Sequence, residues 1–291
     1  MRRAWLAVAI AMGVVPGCSN IPTEPTLVIL AGPPVLVGAG DIARCELPGA
    51  ERTARLLDDI PGTVFTAGDN AYPTGATADF QNCYHPTWGR HLSRTRPVPG
   101  NHDYETPGAL PYFSYFSGRA GPAGLGYYAY RVGDWQVFGL NSEIDISFLS
   151  SQVAWLRAEL AAGDTKCTLA IWHEPRFSSG PNGSYAHVRD VWRALYDANA
   201  DVVVNGHEHM YERFAPQDPE GRSDPARGIR QFVVGTGGAE LSSPRARLPN
   251  SEIVGSDWGV IKLTLGDDDY RWEFVPVAGA SFRDSGSGRC H

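Results

Sequence analysis

The chain has no excess of basic residues. Its 25 lysines and arginines are outnumbered by 32 aspartates and glutamates, and the net charge is -7. The composition therefore gives no indication of the basic surface typical of nucleic-acid binding, and we expect no nucleic-acid ligand beyond possible nucleotides. The sequence also lacks internal repeats and low-complexity tracts, which excludes a repeat protein. Its 291 residues, 43% of them hydrophobic, suffice for a substantial globular core.

The apolar run from Ala4 to Val15 is too short to cross a membrane as a stable helix. It follows two arginines, and a charged pair before a short apolar segment is typical of an export signal. The run closes with Pro16-Gly17-Cys18, which resembles a lipoprotein cleavage site. We therefore predict a signal peptide over residues 1–17, lipid on Cys18, and an envelope protein that contacts the membrane only through that lipid. The alternative is simple cleavage, which leaves a soluble secreted or periplasmic protein.

Cysteines are few, and their number, five, is odd. If Cys18 carries lipid, four remain, and an exported protein can oxidise four cysteines into two disulfides in any of three pairings. We favour the pairing that joins two loops, each following a sequence motif, and ties a core strand to the C-terminus: Cys45–Cys83 and Cys167–Cys290.

The distribution of proline and of apolar residues predicts a tether over residues 18–34 and one domain over residues 35–291. Strands are predicted at 33–40, 63–68, 96–100, 167–172, 200–204, 229–235 and 259–276, with a hairpin over 127–141. Helices are predicted at 48–60, 153–160 and 185–198, and segments 71–93 and 104–126 are expected to form the rim of a site. The pattern indicates an α/β domain with one mixed sheet, or with two stacked sheets flanked by helices.

Five predicted strands end in side chains that bind metals or transfer protons. Because sites in open α/β sheets form beyond the carboxyl ends of the strands, these side chains can meet in one place. Glycine precedes four of the five clusters and is expected to let the backbone turn there. The residues are Asp41, Asp69 with Tyr72, Asn101-His102-Asp103, His173, and His207 with His209.

His207 and His209 follow the apolar run Val202-Val203-Val204 and a glycine. Side chains two positions apart in an extended backbone point to the same side, so this spacing predicts that both imidazoles converge on one point. Histidine is a common ligand of borderline metal ions, which makes this point a candidate metal site.

In order along the chain, these five clusters resemble the five motifs of calcineurin-like metallophosphoesterases. The resemblance covers roughly residues 35–240 and is greatest to the purple acid phosphatases of the single-domain bacterial type. Tyr72, three residues after Asp69, matches their iron-binding tyrosine, and Ala43 stands where other members of the superfamily have a metal-binding histidine. Asp103 departs from the motif, which has glutamate there. The resemblance implies a four-layer α/β sandwich of two mixed sheets flanked by helices.

The resemblance also implies a metal centre with two ions. One would be bound by Asp41, Tyr72 and His209, the other by Asn101, His173 and His207, and Asp69 would bridge them. Phenolate and carboxylate are hard ligands that suit Fe(III), whereas imidazoles with an amide oxygen suit a divalent ion such as Zn, Mn or Fe(II).

The function implied by the resemblance is hydrolysis of small phosphomonoesters by a metal-bound hydroxide, with His102 protonating the leaving oxygen. His187 lies where this branch often has a histidine that contacts the substrate. Two alternatives remain open: a phosphodiesterase or nucleotidase with the same site, and a cell-surface metal-binding protein without catalytic activity.

Overall fold

The computed structural model describes residues 32–291. The predicted signal peptide over 1–17, the predicted lipidation site Cys18 and all but the last residues of the predicted tether lie outside this range. Over the residues described, no helix combines the length and the apolar character needed to span a bilayer.

Strands and helices alternate in the first half of the described chain, and strands dominate the second half. The strands are β1 (Val35–Ala39), β2 (Thr63–Ala67), β3 (Thr95–Val98), β4 (Tyr128–Val132), β5 (Trp135–Gly139), β6 (Thr168–Ile171), β7 (Val202–Asn205), β8 (Tyr211–Phe214), β9 (Arg230–Val234), β10 (Ser251–Gly255), β11 (Gly259–Leu265), β12 (Asp269–Pro276) and β13 (Asp284–Arg289). The α-helices are α1 (Gly49–Asp59), α2 (Thr77–Asp79), α3 (Asn101–Glu105), α4 (Leu110–Phe116), α5 (Ser151–Ala162) and α6 (Arg189–Asp197). Short 3-10 or π turns cover Phe80–Tyr84, Trp88–Arg94, Pro107–Ala109 and Ser117–Ala120.

Between residues 32 and 291 these strands form two mixed sheets. The six-stranded sheet has the order β13-β12-β11-β1-β2-β3, in which β1, β2 and β3 are parallel. The seven-stranded sheet has the order β10-β8-β9-β7-β6-β5-β4, in which β5, β6, β7 and β9 are parallel. The parallel strands in each sheet end at a common edge, and that edge carries the candidate site.

Side chains on the seven-stranded sheet alternate between two apolar cores. Val202 and Val204 share one core with Leu36 of the six-stranded sheet, whereas Val203 points the other way and packs with Trp192 of α6. One core therefore lies between the sheets, and the other lies beneath α5 and α6, while α1 packs on β11 of the six-stranded sheet. The layers match the predicted sandwich of two mixed sheets flanked by helices.

Several element bounds differ from the prediction. The predicted helix over 185–198 begins only at Arg189, and Tyr185 belongs to the loop before it, where its backbone N–H donates to the carbonyl of Pro175 (3.0 Å). The segment 259–276 is a hairpin of β11 and β12. The prediction omitted β8, β10 and β13, of which β10 and β13 are edge strands.

Two disulfides link distant parts of the described chain, Cys45–Cys83 and Cys167–Cys290, which is the favoured pairing. The first connects the loop after β1 to the π turn over Phe80–Tyr84, and the second fastens the end of the chain to the start of β6. Each bond closes a long loop, across 38 and 123 residues respectively, and so restricts the unfolded chain.

Candidate metal centre

The carboxyl ends of the parallel strands of both sheets meet, and hydrogen bonds join them. The N–H of Gly40 after β1 donates to the carbonyl of Val234 in β9 (2.9 Å). The Nδ1 of His173 after β6 lies 2.8 Å from the carbonyl oxygen of Ala67 in β2. The seven predicted metal ligands follow β1, β2, β3, β6 and β7, so both sheets contribute to one site.

Three of these ligand residues have a left-handed backbone. Asp41, Asp69 and His207 have φ values of 59°, 49° and 68°, a region that few non-glycine residues adopt. Strained residues of this kind often occur at functional sites, where the surrounding structure fixes them. The backbone of each residue thus turns sharply at the strand end and directs its side chain into the site.

Three of the four glycines that precede the ligands do not adopt the left-handed backbone of a glycine turn. Of the four, only Gly68 has a positive φ (84°). A Cβ on Gly206 would lie 2.4 Å from the carbonyl oxygen of Ala67 and 2.7 Å from Oδ2 of Asp41. Gly206 is therefore required because the two sheets approach closely there, whereas His207 itself makes the turn.

The seven predicted ligands form one cluster with two halves. The first half is built around the hydroxyl of Tyr72. Its Oη lies 3.0 Å from Oδ1 of Asp41, 3.0 Å from Oδ2 of Asp69 and 3.1 Å from Nε2 of His209. Apart from the partly exposed His209, these side chains are buried. Because a hydroxyl has one hydrogen, it can donate to only one of the two carboxylates at a time.

The second half of the cluster contains two imidazoles and an amide. The Oδ1 of Asn101 lies 3.1 Å from Nε2 of His173 and 2.9 Å from Nδ1 of His207. The two ring nitrogens are themselves 3.2 Å apart. The Oδ2 of Asp69 is 3.3 Å from Nε2 of His173, so the oxygen that contacts Tyr72 also contacts this half.

His207 and His209 do not converge on one point as the sequence spacing predicted. The left-handed backbone at His207 breaks the extended geometry on which that prediction relied. Nδ1 of His207 faces Asn101, whereas Nε2 of His209 faces Asp41 and Tyr72. The two imidazoles therefore serve opposite halves of the cluster.

The electrostatics of the cluster favour added positive charge. Burial opposes a charge on His209, yet the Asp41 carboxylate raises the pKa of His209 to about 9. Burial likewise opposes a charge on His173, but Asp69 raises its pKa well above the ordinary value. Burial, followed by the neighbouring His173, lowers the pKa of His207 to about 4. The carboxylates of Asp41 and Asp69 thus favour positive charge on the neighbouring imidazoles.

The donor set fits a pair of metal ions. Burial and then the carboxylates of Asp41 and Asp69 raise the pKa of Tyr72, so this hydroxyl can become a phenolate ligand only beside a cation. The nitrogens of His173 and His209 that face away from the cluster contact backbone carbonyls, at 2.8 Å and 2.6 Å, which fixes the orientation of both rings. The nitrogens that face the cluster can then bind metal.

His102 lies at the edge of the cluster with its side chain about one-third exposed. Its Nδ1 is 2.6 Å from the carbonyl oxygen of Pro73, and its ring lies 4.5 Å from the ring centre of Tyr72. Its Nε2 is 3.9 Å from Oδ2 of Asp69. The sequence offered no partner for His102, and the structure identifies one in a backbone carbonyl, which sequence patterns do not reveal.

His187 does not contact the ligand cluster. Its Nε2 lies 2.7 Å from Oε2 of Glu174, and this hydrogen bond raises the pKa of His187 even though burial opposes it. Tyr185, two residues earlier, reaches the cluster instead: its Oη lies 2.6 Å from Nε2 of His207. Neither Glu174 nor Tyr185 belongs to a recognisable spacing pattern, so neither was predicted.

Asp103 has a structural position behind the cluster. Its buried carboxylate accepts hydrogen bonds from the N–H of Gly100 (3.0 Å) and from the side chain of Asn70 (2.8 Å). The backbone N–H of Asn70 also donates to it, at 3.2 Å. Asp103 therefore holds the loops that carry Asp69 and Asn101 against each other.

One family model and several purple acid phosphatases match this chain. The family model described as calcineurin-like phosphoesterase matches residues 36–211. Purple acid phosphatase 15 of Arabidopsis thaliana is 27% identical over 226 residues, which cover 64% of this chain and 41% of that protein. Purple acid phosphatase 18 of the same plant is 30% identical over 212 residues, 64% of this chain and 46% of that protein. The chain thus spans less than half the length of these relatives.

Two solved structures share the fold. The purple acid phosphatase PPD1 from yellow lupin (Lupinus luteus) seeds superposes with a TM-score of 0.76 at 20% identity, covering 87% of this chain and 53% of that one. GAP50, the anchor in the inner membrane complex of Plasmodium, superposes with a TM-score of 0.69 at 13% identity and covers 90% of both chains. At these identities the structural matches establish the fold alone.

Proposed function

Because this chain belongs to the calcineurin-like phosphoesterase family, we propose that it hydrolyses phosphomonoesters with two metal ions bound in the cluster. One observation carries the proposal: Oδ2 of Asp69 lies 3.0 Å from Oη of Tyr72 and 3.3 Å from Nε2 of His173. A single carboxylate therefore connects the phenol half to the imidazole half, and a carboxylate can bridge two cations. The domain that carries the site is residues 35–291.

The two halves of the cluster suit different ions. We assign Asp41, Tyr72 and His209 to an Fe(III) ion, Asn101, His173 and His207 to a divalent ion (Zn, Mn or Fe(II)), and Asp69 to both. When bound, such a pair would supply positive charge for the phosphate oxygens and would acidify a water molecule for attack on phosphorus. The protein holds the ligands in place through the carbonyls that contact His173 and His209.

His102 is assigned as the proton donor to the leaving oxygen. Its Nδ1–H donates to the Pro73 carbonyl, which fixes the ring and leaves Nε2 on the side of Asp69. The side chain is partly exposed, so a leaving group at the open side of the site can reach Nε2. General acid catalysis of this kind contributes roughly 10²–10⁴-fold to a rate.

His187 is assigned a supporting role in substrate binding. Its pairing with Glu174 favours the imidazolium form, and 46% of its side chain is exposed. A cation at the rim attracts an anionic phosphoester to an otherwise acidic protein. We propose a small phosphoester as the substrate, with no nucleic-acid partner.

Export and an envelope location complete the proposal. Disulfides persist mainly in oxidising compartments, and the described chain contains two. This agrees with the export signal predicted over residues 1–17. Lipid on Cys18 would provide the membrane contact.

The test compares kcat/KM of the metal-loaded protein for p-nitrophenyl phosphate and for bis(p-nitrophenyl) phosphate. We expect the monoester to be the better substrate, and a chelator to abolish turnover until metal is restored. A preference for the diester would replace the proposal by the phosphodiesterase alternative. Absence of turnover on both esters, with two metal equivalents bound, would favour the non-catalytic metal-binding alternative.

The role of His102 is tested with leaving groups of different basicity. We expect His102→Ala to lower kcat more for an alkyl phosphate than for p-nitrophenyl phosphate, because nitrophenolate leaves without a proton. His85→Ala is a suitable control, since His85 contacts Tyr115 and is exposed. An equal loss of kcat on both substrates would contradict the assignment of His102 as proton donor.

A further inference from the structure

Tyr185 is the one residue outside the predicted ligand set, among those the structure describes, whose side-chain oxygen reaches a histidine ring nitrogen of the cluster. We propose that Tyr185 is a positioning residue for His207 and that, once metal is bound, its hydroxyl also donates a hydrogen bond to the phosphate group of the substrate. This inference rests on the proposed function.

The contact between Tyr185 and His207 is close and directional. Oη of Tyr185 lies 2.6 Å from Nε2 of His207, and the two rings meet edge to face with centres 5.0 Å apart. Tyr185 is held from behind by the hydrogen bond from its N–H to the carbonyl of Pro175 (3.0 Å). The tyrosine thus fixes the only ring nitrogen of His207 that does not face Asn101 and His173.

His207 differs in this respect from the other two cluster histidines. His173 and His209 are oriented by the backbone carbonyls of Ala67 and Glu240, which can only accept hydrogen bonds. Tyr185 offers a hydroxyl, which both accepts and donates. The group that orients His207 can therefore either donate to Nε2 or accept from it, according to which ring nitrogen carries the hydrogen.

The position of the ring hydrogen decides whether the hydroxyl of Tyr185 donates or accepts. A neutral imidazole carries one hydrogen, and a ring that binds metal through Nδ1 must carry it on Nε2. Nε2–H of His207 then donates to Oη of Tyr185, so the hydroxyl acts as an acceptor in this contact. Its own hydrogen must turn to another group, and no second partner of this oxygen is found between residues 32 and 291.

The position of Tyr185 makes a ligand of the site the natural acceptor for that hydrogen. The side chain is half-buried, and its ring contacts His187, with ring centres 5.7 Å apart, at the exposed rim. A phosphate oxygen bound between the imidazole half of the cluster and this rim would accept the hydrogen. Metal binding and phosphate binding would then be coupled through one hydroxyl.

The experiment measures zinc and inorganic phosphate binding to the full chain and to Tyr185→Phe, which removes only the oxygen. For Tyr185→Phe we expect one zinc equivalent to bind roughly 10–100-fold more weakly, the usual cost of losing such a supporting contact, while the other is unchanged. At saturating zinc we expect phosphate to bind about tenfold more weakly, because a hydrogen bond to an anion is lost. Tyr196→Phe is the matched control, since its hydroxyl donates to Asp224 (2.7 Å) away from the cluster.

Each role can fail separately. If Tyr185→Phe melts at the wild-type temperature and binds both zinc equivalents as tightly as the wild type, the positioning role is overturned. Unchanged phosphate affinity at saturating zinc would overturn the donor role. Neither readout requires turnover, so a wild-type protein that binds two metal equivalents but hydrolyses no phosphoester would contradict the proposed function and still leave the role of Tyr185 open to both tests.

Discussion

Replacing Asp69 by asparagine tests whether one carboxylate serves two metal ions. The side chain is buried, its Oδ1 accepts from the N–H of His102 (2.8 Å), and its Oδ2 contacts both Tyr72 and His173. Asparagine has the same shape and retains an oxygen for the His102 contact. It removes the negative charge that two cations would share, so the substitution should impair both sites and largely preserve the fold.

The expected change in melting temperature follows from the linkage between metal binding and unfolding. At a metal concentration one hundred times Kd, each bound ion stabilises the folded state by about 2.7 kcal/mol, and two ions by about 5 kcal/mol. For a domain of this size, about 1 kcal/mol raises the melting temperature by roughly 2–4 °C, so metal should raise that of the wild type by roughly 10–20 °C. A 100-fold loss of affinity at both sites reduces the gain to about 1 kcal/mol, or roughly 2–4 °C.

The assay is thermal unfolding of both proteins with a chelator and with added metal. Asp284→Asn is the control, because it changes another buried carboxylate, which accepts from Tyr211 (2.7 Å) and Trp272 (3.0 Å). It should lower the melting temperature of the metal-free protein and leave the gain from metal intact. If metal raises the melting temperature of Asp69→Asn as much as that of the wild type, the bridging role is refuted. If the rise is reduced by only half, Asp69 serves one ion.

Three further predictions concern the phenol ligand, a disulfide and the C-terminal histidine. Tyr72→Phe should abolish visible absorption of the iron-loaded protein while preserving its circular dichroism; retained colour would contradict phenolate ligation. Replacing Cys167 and Cys290 by serine should destabilise the fold by about 4–5 kcal/mol, since the bond spans 123 residues, and equal denaturant midpoints would contradict this. The hydrogen bond to buried Asp201 raises the pKa of His291, so its stabilisation is full below the unfolded pKa of about 6.5 and disappears as pH rises through the folded value. His291→Gln should therefore cost up to about 1 kcal/mol at pH 6 and progressively less as the pH is raised, whereas a pH-independent difference would refute the ion pair.

The sequence predicted strands best where a run of apolar residues forms a buried strand. Apolar runs predicted β1, β2, β6 and β7, and the ligand-type residues at their ends lie together in the structure. Edge strand β13 was missed because its sequence, Asp-Ser-Gly-Ser-Gly-Arg, has no apolar alternation. A Cβ on Gly286 would meet the ring of Trp272 at 2.2 Å, so the rings of β12 cover this strand and supply its packing.

The geometry within the site could not be predicted from spacing. The i, i+2 pattern of His207 and His209 assumed an extended backbone, and the left-handed φ of His207 directs the two rings to opposite halves. The supporting contacts of His102 and His209 are backbone carbonyls, which every residue has and no motif distinguishes. Tyr185 reaches His207 across 22 residues, and only the packing of α6 and its preceding loop reveals that proximity.

The most direct measurement is anomalous diffraction from crystals of the metal-loaded protein. We expect two peaks about 3.5–4 Å apart, with the carboxylate of Asp69 coordinated to both ions. A single peak would contradict the binuclear centre on which the proposed function depends, and two ions of which only one contacts Asp69 would contradict the bridging role of that carboxylate.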